Sequence, residues 1–230
     1  SDAGALDSIN FYGSASAGLK VTIEGNRFRP EAVPLSTTSQ RAVSALVDGN
    51  SQFDVVFRRN LVLPALALPS RRFASGFTWS HFDDSHVDFL VHDNLLVLDS
   101  ENGAGGSGLI AGGSGGGSTT IRVLNNSFVS PYNALMFYDN VSGRIDNNLI
   151  SGVFRVHEGT APASAFQFRN NLMFDVAQPS NWPLPPGTLT VAPQIDPQGV
   201  PLPGSPLIDA GSDAARIESG PGSFEVPEAL

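Results

Sequence analysis

The sequence predicts an all-β protein, a solenoid in which parallel strands stack coil upon coil. Three observations predict this fold: six segments share one template, apolar residues alternate within it, and all six carry an asparagine at the same place. A fixed repeat of this kind indicates the architecture more strongly than any single segment does. The segments are VTIEGNRF (21–28), VVFRRNLV (55–62), FLVHDNLL (89–96), IRVLNNSF (121–128), GRIDNNLI (143–150) and FQFRNNLM (166–173).

The template alternates in the manner of a strand. Apolar residues are expected five and three positions before the asparagine and two positions after it. Seventeen of these eighteen positions are apolar, whereas a hydrophobic content of 41% would give about seven. Alternation indicates a strand with one buried face, and the apolar spacing of three and four that a helix needs is missing. Each segment is therefore predicted to be a strand that faces a common core.

The spacing of the asparagines gives the length of a coil. They lie 34, 34, 32, 22 and 23 residues apart. The shorter intervals fit one coil, and the longer ones fit one coil plus about ten residues. We therefore predict about six coils within residues 1–176, with insertions near 30–50, 64–85 and 99–118. The glycine-rich stretch 103–118 is predicted to be a flexible loop, because it lacks the Lys-Ser/Thr ending of a phosphate-binding loop.

The shared asparagine marks a bend in the chain. The residue before it is glycine or polar, although simple alternation would turn that residue inward. Asparagine tolerates the left-handed conformation that a tight bend needs, and its amide can bond to the asparagine of the next coil. We therefore predict a ladder of stacked amides along the solenoid. Its members are Asn26, Asn60, Asn94, Asn126, Asn148 and Asn171.

Residues 177–230 follow a different pattern and contain eleven of the seventeen prolines. Proline cannot donate to a strand ladder, so this segment is not a series of central strands. The last coil of a solenoid must be covered. We therefore predict that the tail packs on the solenoid and caps it. The residues expected to make this contact are Trp182, Leu184, Ile195, Leu207 and Ile208.

Two features resemble a known group of proteins. The coils with Asn-Asn turns and the segment PQIDPQGVPLPGSPLIDAG (193–211) resemble the right-handed parallel β-helix proteins of the pectate lyase-like superfamily, many of which are secreted by bacteria and end in a motif such as PGSPxIDAG. The resemblance spans residues 10–215. It implies a right-handed coil and a location outside the cell, in the periplasm or at the cell surface. The superfamily includes lyases, hydrolases, epimerases and adhesins, so the resemblance implies no single activity.

Composition limits the partners. A net charge of −9 and a pI near 4.7 argue against nucleic acid or an anionic membrane. No stretch has the length of a membrane span. The absence of cysteine excludes disulfides and thiolate sites. The small number of coils and the lack of an evident N-terminal capping helix suggest upstream domains in a longer chain.

Outward side chains of stacked strands form rows, and two rows carry charge. Neighbouring coils are about 4.8 Å apart, so Arg58 should lie beside His92 and Arg122 beside Arg144. Asp146 and Arg169 are expected to pair. We call this set the cationic strip; its members are Arg58, His92, Arg122, Arg144, Asp146 and Arg169.

Three functions fit the cationic strip. The first is binding of an anionic polysaccharide without turnover, as in an adhesion module. The second is a lyase for uronate polymers, in which Arg122 and Arg144 neutralise the uronate carboxylate and His92 removes the adjacent proton, with Tyr138 as a candidate acid. The third is a structural spacer within a larger surface protein.

The segment HFDDSHVDFLVHD (81–93) is the densest polar cluster. Asp83, Asp84 and Asp88 are candidate ligands for calcium, the one cofactor suggested, and His81 and His86 are candidates for a transition metal. The favoured alternative is a solvated turn, because alternation turns Asp88 and His92 to solvent, away from the loop acids. The aromatic residues Tyr12, Trp79, Tyr132 and Trp182 are expected either to stack on sugars or to pack on the body.

Overall fold

The protein is a right-handed parallel β-helix of about six coils, seen in a computed structural model. Three sheets of six strands each run along the solenoid, and every strand pairs in parallel with its equivalent in the next coil. The predicted fold class is therefore confirmed. The residues that the structure describes are 7–14, 18–29, 40–63, 73–98, 106–129, 131–177, 182, 188–196 and 202–206.

Each coil contributes one strand to each sheet. The first sheet contains β1 (Asp7–Ser14), β4 (Gln40–Asp48), β7 (Phe73–His81), β10 (Ser107–Gly113), β13 (Asn133–Phe137) and β16 (Arg155–Glu158). The second contains β2 (Leu19–Glu24), β5 (Gln52–Arg58), β8 (His86–His92), β11 (Ser118–Leu124), β14 (Val141–Asp146) and β17 (Phe166–Arg169). The third contains β3 (Arg27–Phe28), β6 (Leu61–Val62), β9 (Leu95–Val97), β12 (Ser127–Val129), β15 (Leu149–Val153) and β18 (Leu172–Val176). A 3-10 turn, Ala163–Ala165, precedes β17.

The template positions stack in register and build the core. Phe89, for example, lies between Val55 and Ile121 on the neighbouring strands. Rings pack along the interior as well, since the centroids of Phe77 and Phe89 are 4.7 Å apart. Removal of these large side chains from water is the main favourable term in the stability of the coil stack.

Gly143 is the one template position that is not apolar, and the structure gives the reason. Its φ is 151°, and a Cβ at this position would overlap the carbonyl oxygen of Ile121 in the coil before. A larger residue would therefore force the two strands apart.

The bend lies one residue earlier than the ladder asparagine. Left-handed φ angles of 51° to 69° occur at the preceding residue in all six coils, whereas the ladder asparagine itself has no positive φ. The left-handed conformation therefore falls on the position that varies between glycine, aspartate, asparagine and arginine. The six residues are Gly25, Arg59, Asp93, Asn125, Asn147 and Asn170.

The predicted insertions were too wide. Their second parts form first-sheet strands, namely β4, β7 and β10. The glycine-rich stretch is therefore not simply a flexible loop, because Ser107–Gly113 is a strand with Leu109 and Ala111 buried in the core. The remaining parts, 30–39, 64–72 and 99–105, lie outside the described residues.

The C-terminal end of the core is covered. The Trp182 ring stacks on His157 with centroids 3.4 Å apart and contacts Phe166 at 4.7 Å, and its Nε1 donates to the Ala161 carbonyl at 2.9 Å. Leu189 bridges to Leu172 in parallel, at the edge of the last coil. Ile195 is half-buried, and the other expected contacts, Leu184, Leu207 and Ile208, lie outside the described residues.

Candidate functional site

The asparagines of the template form a continuous hydrogen-bonded column. In each step the Oδ1 atom of one asparagine accepts from the backbone N–H and the Nδ2 of the asparagine one coil earlier. At Asn126 these two distances to Asn94 are 3.1 and 2.9 Å. The Nδ2 of Asn126 also donates to the Val91 carbonyl of the earlier coil at 2.9 Å. The column fixes the corner between the second and third sheets.

The cationic strip lies on the outer face of the second sheet, next to this corner. Arg58 is in register with His92, and Arg122 is in register with Arg144. The alternation and the coil spacing thus place these side chains on neighbouring strands. Their exposure and their ion pairs, however, differ from those that the sequence suggests.

Arg58 is engaged by Glu24, which precedes it in the same row. The Arg58 Nη2 lies 2.7 Å from Glu24 Oε2, and Arg59 Nη1 lies 3.3 Å from the other carboxylate oxygen. The hydrogen bond from Arg58 lowers the pKa of Glu24. The Arg58 charge at this end of the strip is therefore already engaged by a carboxylate of the protein.

His92 is buried, which sequence alternation alone does not suggest. Its side chain is on the outer face but only 2% exposed, so the expectation that it faces solvent was wrong. Its Nδ1 lies 2.8 Å from Asp93 Oδ2, and its Nε2 has no hydrogen-bond partner among the described residues. Three apolar outward side chains, Val56, Leu90 and Leu124, form a buried cluster on the same face. The middle of the strip is thus withdrawn from water.

Asp146 is fully buried and pairs with Arg144 on its own strand. The expected ion pair with Arg169 is not observed, although the two residues are in register. Residues two apart on a strand share a face, which lets Arg144 reach the carboxylate. Burial raises the pKa of Asp146, and the hydrogen bond and charge of Arg144 oppose this rise. Arg122 is half-buried and has no ion-pair partner among the described residues.

The raised pKa of Asp146 predicts a pH effect on stability. The folded protein favours the protonated Asp146 carboxyl. The stabilisation that this group gives is therefore complete below the pKa of the unfolded chain, about 4, and it is lost as the pH rises through the pKa of the folded protein. Asp146→Asn is uncharged throughout. The free energy of unfolding of the natural protein should therefore fall relative to that of the variant as the pH rises above about 4. Urea unfolding at a series of pH values measures this difference, and a constant or opposite trend would contradict it.

Polar rows, which are exposed apart from the half-buried Asp54 and Ser118, lie beside the cationic strip on the same face, nearer the start of the strands. Asp54, Asp88, Thr120 and Ser142 follow one another in register across β5, β8, β11 and β14. Lys20 begins this row, next to Asp54. A second row, two residues earlier on each strand, contains Gln52, His86 and Ser118 in register. The same alternation that predicts the strip predicts the outward direction of both rows, and we call them the polar rows.

A groove of about 610 Å³ opens at the first coils of the polar rows. Its lining brings together amide, carboxylate, ammonium and imidazole groups, and His86 Nδ1 lies 2.9 Å from Ser118 Oγ in the next coil. The polar side chains that line the groove are Lys20, Asn50, Ser51, Gln52, Asp54 and His86.

The segment 81–93 does not gather its acids into one site. Asp83 and Asp84 are exposed in the turn between β7 and β8, and Asp88 is exposed on β8. A hydrogen bond with Asp48 raises the pKa of the Asp83 carboxyl, and the negative charge of Asp48 raises it further. Within the described ranges, no group of three or more His, Asp or Glu side chains is close enough to hold a metal ion. His81 is buried and contacts Thr119 Oγ1 at 3.1 Å.

The aromatic candidates have mainly structural roles. Trp79 and Trp182 are buried in the core, and Tyr132 stacks on Phe154 with centroids 4.5 Å apart. Tyr138 follows β13 of the first sheet, and its hydroxyl lies 3.3 Å from the Met136 sulfur. Tyr12 is exposed, and its hydroxyl donates to Asp48 at 3.2 Å.

Comparison with protein-family models, with curated proteins and with solved structures finds no match. No helix in the described part of the chain has the length and apolar character of a membrane span.

Proposed function

We propose that the protein binds a carbohydrate polymer along the outer face of its second sheet, without turning it over. The observation that carries this proposal is the set of polar rows, where ammonium, carboxylate, amide and hydroxyl groups follow one another from coil to coil. Sugar hydroxyls both donate and accept hydrogen bonds, so they suit such a mixed set. A polymer that follows these rows meets a polar side chain at each coil, about every 4.8 Å.

The two ends of this face suit different parts of such a polymer. The groove at the first coils offers hydrogen-bond donors and acceptors, among them Gln52 and His86. The later coils offer two cations, the half-buried Arg122 and the exposed Arg169. Guanidinium groups bind carboxylates well, which favours an anionic polysaccharide.

The buried state of His92 favours binding over β-elimination. A general base must come within hydrogen-bond reach of the proton it removes. His92 is only 2% exposed, and Arg144 is already paired with Asp146. The lyase alternative would need both groups to be available to the substrate.

A second candidate function, a structural spacer in a larger surface protein, has one observation in its favour. Val56, Leu90 and Leu124 are buried apolar side chains on the outer face of the second sheet. A face that is partly closed in this way has less room for a polymer.

The binding proposal predicts two separable losses. Gln52→Ala with His86→Ala should weaken binding of neutral and anionic polymers alike, because both use the groove. Arg122→Ala with Arg169→Ala should weaken only the anionic polymers, by about tenfold for each lost ion pair of about 1.4 kcal/mol. Affinity electrophoresis in gels that contain polygalacturonate, alginate or dextran measures both. Arg27→Ala with Arg155→Ala is the charge-matched control, because it also removes two arginines and these lie on the third and first sheets.

The result also separates the alternatives. Retention on the polymer without ultraviolet-absorbing product supports binding. Formation of unsaturated product that His92→Ala abolishes would establish the lyase instead. Absence of retention and of product would leave the spacer as the better explanation.

A further inference from the structure

An imidazole and a hydroxyl meet on the outer face of the second sheet. His86 begins β8, Ser118 begins β11, and the two are register partners in neighbouring coils. His86 Nδ1 lies 2.9 Å from Ser118 Oγ. In the tautomer that carries its proton on Nε2, the imidazole accepts a hydrogen bond from the hydroxyl. This is the distance at which a general base can take the proton of a serine nucleophile.

The pair is open to a substrate. His86 is exposed and lines the groove of about 610 Å³, and Ser118 is half-buried beside it. The chain has four histidines, all of which the structure describes, and the other three are buried: His81, His92 and His157. His86 is therefore the histidine that can exchange a proton with a bound molecule.

An amide lies on the other side of Ser118. Asn140 directly precedes β14 and is exposed, and its carbonyl accepts from the Thr119 N–H at 2.8 Å, which places it beside Ser118 in the next coil. Its Nδ2 donates to the Gly115 carbonyl at 3.3 Å, and an amide nitrogen has a second hydrogen to donate. A base, a hydroxyl and an N–H donor thus follow one another, about 4.8 Å per coil.

We propose that Ser118 and His86 hydrolyse carboxylic esters, with a short acyl group on a sugar hydroxyl as the substrate class. Ser118 Oγ attacks the carbonyl carbon while His86 Nδ1 takes the hydroxyl proton, and Asn140 Nδ2 donates to the carbonyl oxygen as it becomes negative. The ester C–O bond breaks, the proton passes from His86 to the departing alcohol, and an acyl-serine remains. Water, which gives a proton to His86, then releases the carboxylic acid and restores Ser118. The glycosidic bonds stay intact, so this activity goes beyond polymer binding.

The surroundings of the pair indicate this substrate class. The groove side chains beside His86, among them Asn50 and Gln52, donate and accept hydrogen bonds, which suits a sugar as the alcohol. On the same face the neighbours of Ser118 are polar, so an acyl group that needs no apolar pocket, such as acetyl, fits best.

Slow turnover is expected from this pair. Among the described residues no carboxylate is bonded to His86, whose hydrogen bond is to Ser118. Loss of the carboxylate from a Ser-His-Asp triad lowers kcat by about 10⁴-fold. The covalent step is therefore the more sensitive readout.

The first test traps this covalent step. The full chain is treated with a fluorophosphonate probe, which bonds to activated serines, and the labelled residue is identified by peptide mass spectrometry. We expect labelling at Ser118, and labelling at least about a hundredfold slower in His86→Gln. Glutamine can keep a hydrogen bond to the hydroxyl but cannot take its proton, so it would rescue a merely structural contact. Ser127→Ala is the matched control, because Ser127 is also half-buried and begins β12 of the same coil, but pairs with Leu95 and Leu149.

The second test measures turnover with 4-nitrophenyl acetate and with acetylated dextran. We expect a burst of about one nitrophenol per chain, followed by slow release, and slow release of acetate from the dextran. Ser118→Ala, which keeps the imidazole, should abolish the burst. Gel retention needs no ester and the burst needs no polymer, so the two proposals fail separately.

Three results would overturn the hydrolase. They are a probe that does not label Ser118 in the natural protein, a burst that survives Ser118→Ala, and a His86→Gln variant that labels as fast as the natural protein. Failure to release acetate from acetylated dextran would overturn the substrate class.

Discussion

Replacing Asn126 with alanine is expected to lower the free energy of unfolding by at least about 3 kcal/mol. Asn126 is 1% exposed, and its side chain takes part in five hydrogen bonds. Alanine leaves the Val91 carbonyl and the Oδ1 of Asn148 short of a donor, and it leaves the backbone N–H of Asn94 without its acceptor. Each buried polar group left without a partner costs about 1–3 kcal/mol.

Urea unfolding measures this effect, and Asn26 provides the matched control. Asn26→Ala removes the same side chain at the end of the column, where it is half-buried and makes fewer bonds. We expect a loss of only about 1 kcal/mol there. Equal losses at the two positions would mean that the column does not stabilise the coil stack.

Replacing Trp182 with alanine is expected to cost about 3–5 kcal/mol. The ring is 5% exposed and closes the C-terminal end of the core against His157, Phe166 and Phe168. Alanine would open a cavity over these side chains and remove the donor to the Ala161 carbonyl. The loss should appear as a lower melting temperature.

Trp182→Phe keeps part of the packing. It retains one aromatic ring at the end of the core but is smaller and lacks the indole N–H, so we expect a smaller loss of about 1–2 kcal/mol. If Trp182→Ala were as stable as the natural protein, the tail would not act as a cap.

The coil, the register and the column could be predicted because each follows from a rigid spacing. Alternation specifies which side chains of a strand share a face, and a repeated asparagine sets the register between coils. Arg122 and Arg144 are neighbours for this reason alone. The strand at Ser107–Gly113 escaped this reasoning because glycine is a poor strand former, although Leu109 and Ala111 alternate correctly.

The burial of the outer face could not be derived from the alternation. Alternation distinguishes inward from outward positions, but it does not say whether an outward position meets water. Three outward apolar residues, Val56, Leu90 and Leu124, were the available signal that part of this face is closed. His92 and Asp146 lie in the same row as Leu124 and are buried with it.

The most direct test of the stacked coils is an engineered disulfide between two coils. The chain has no cysteine of its own, so only the introduced pair can form the cross-link. Thr120 and Ser142 are register partners on β11 and β14, so their Cα atoms should be about 4.8 Å apart, within the range of a disulfide. Thr120→Cys with Ser142→Cys should oxidise readily to a cross-link. Asp54→Cys with Ser142→Cys, in the same row but three coils apart, should not. Failure of the first pair to cross-link, or equal cross-linking of the second, would contradict the stacking on which the fold and the proposed binding face both depend.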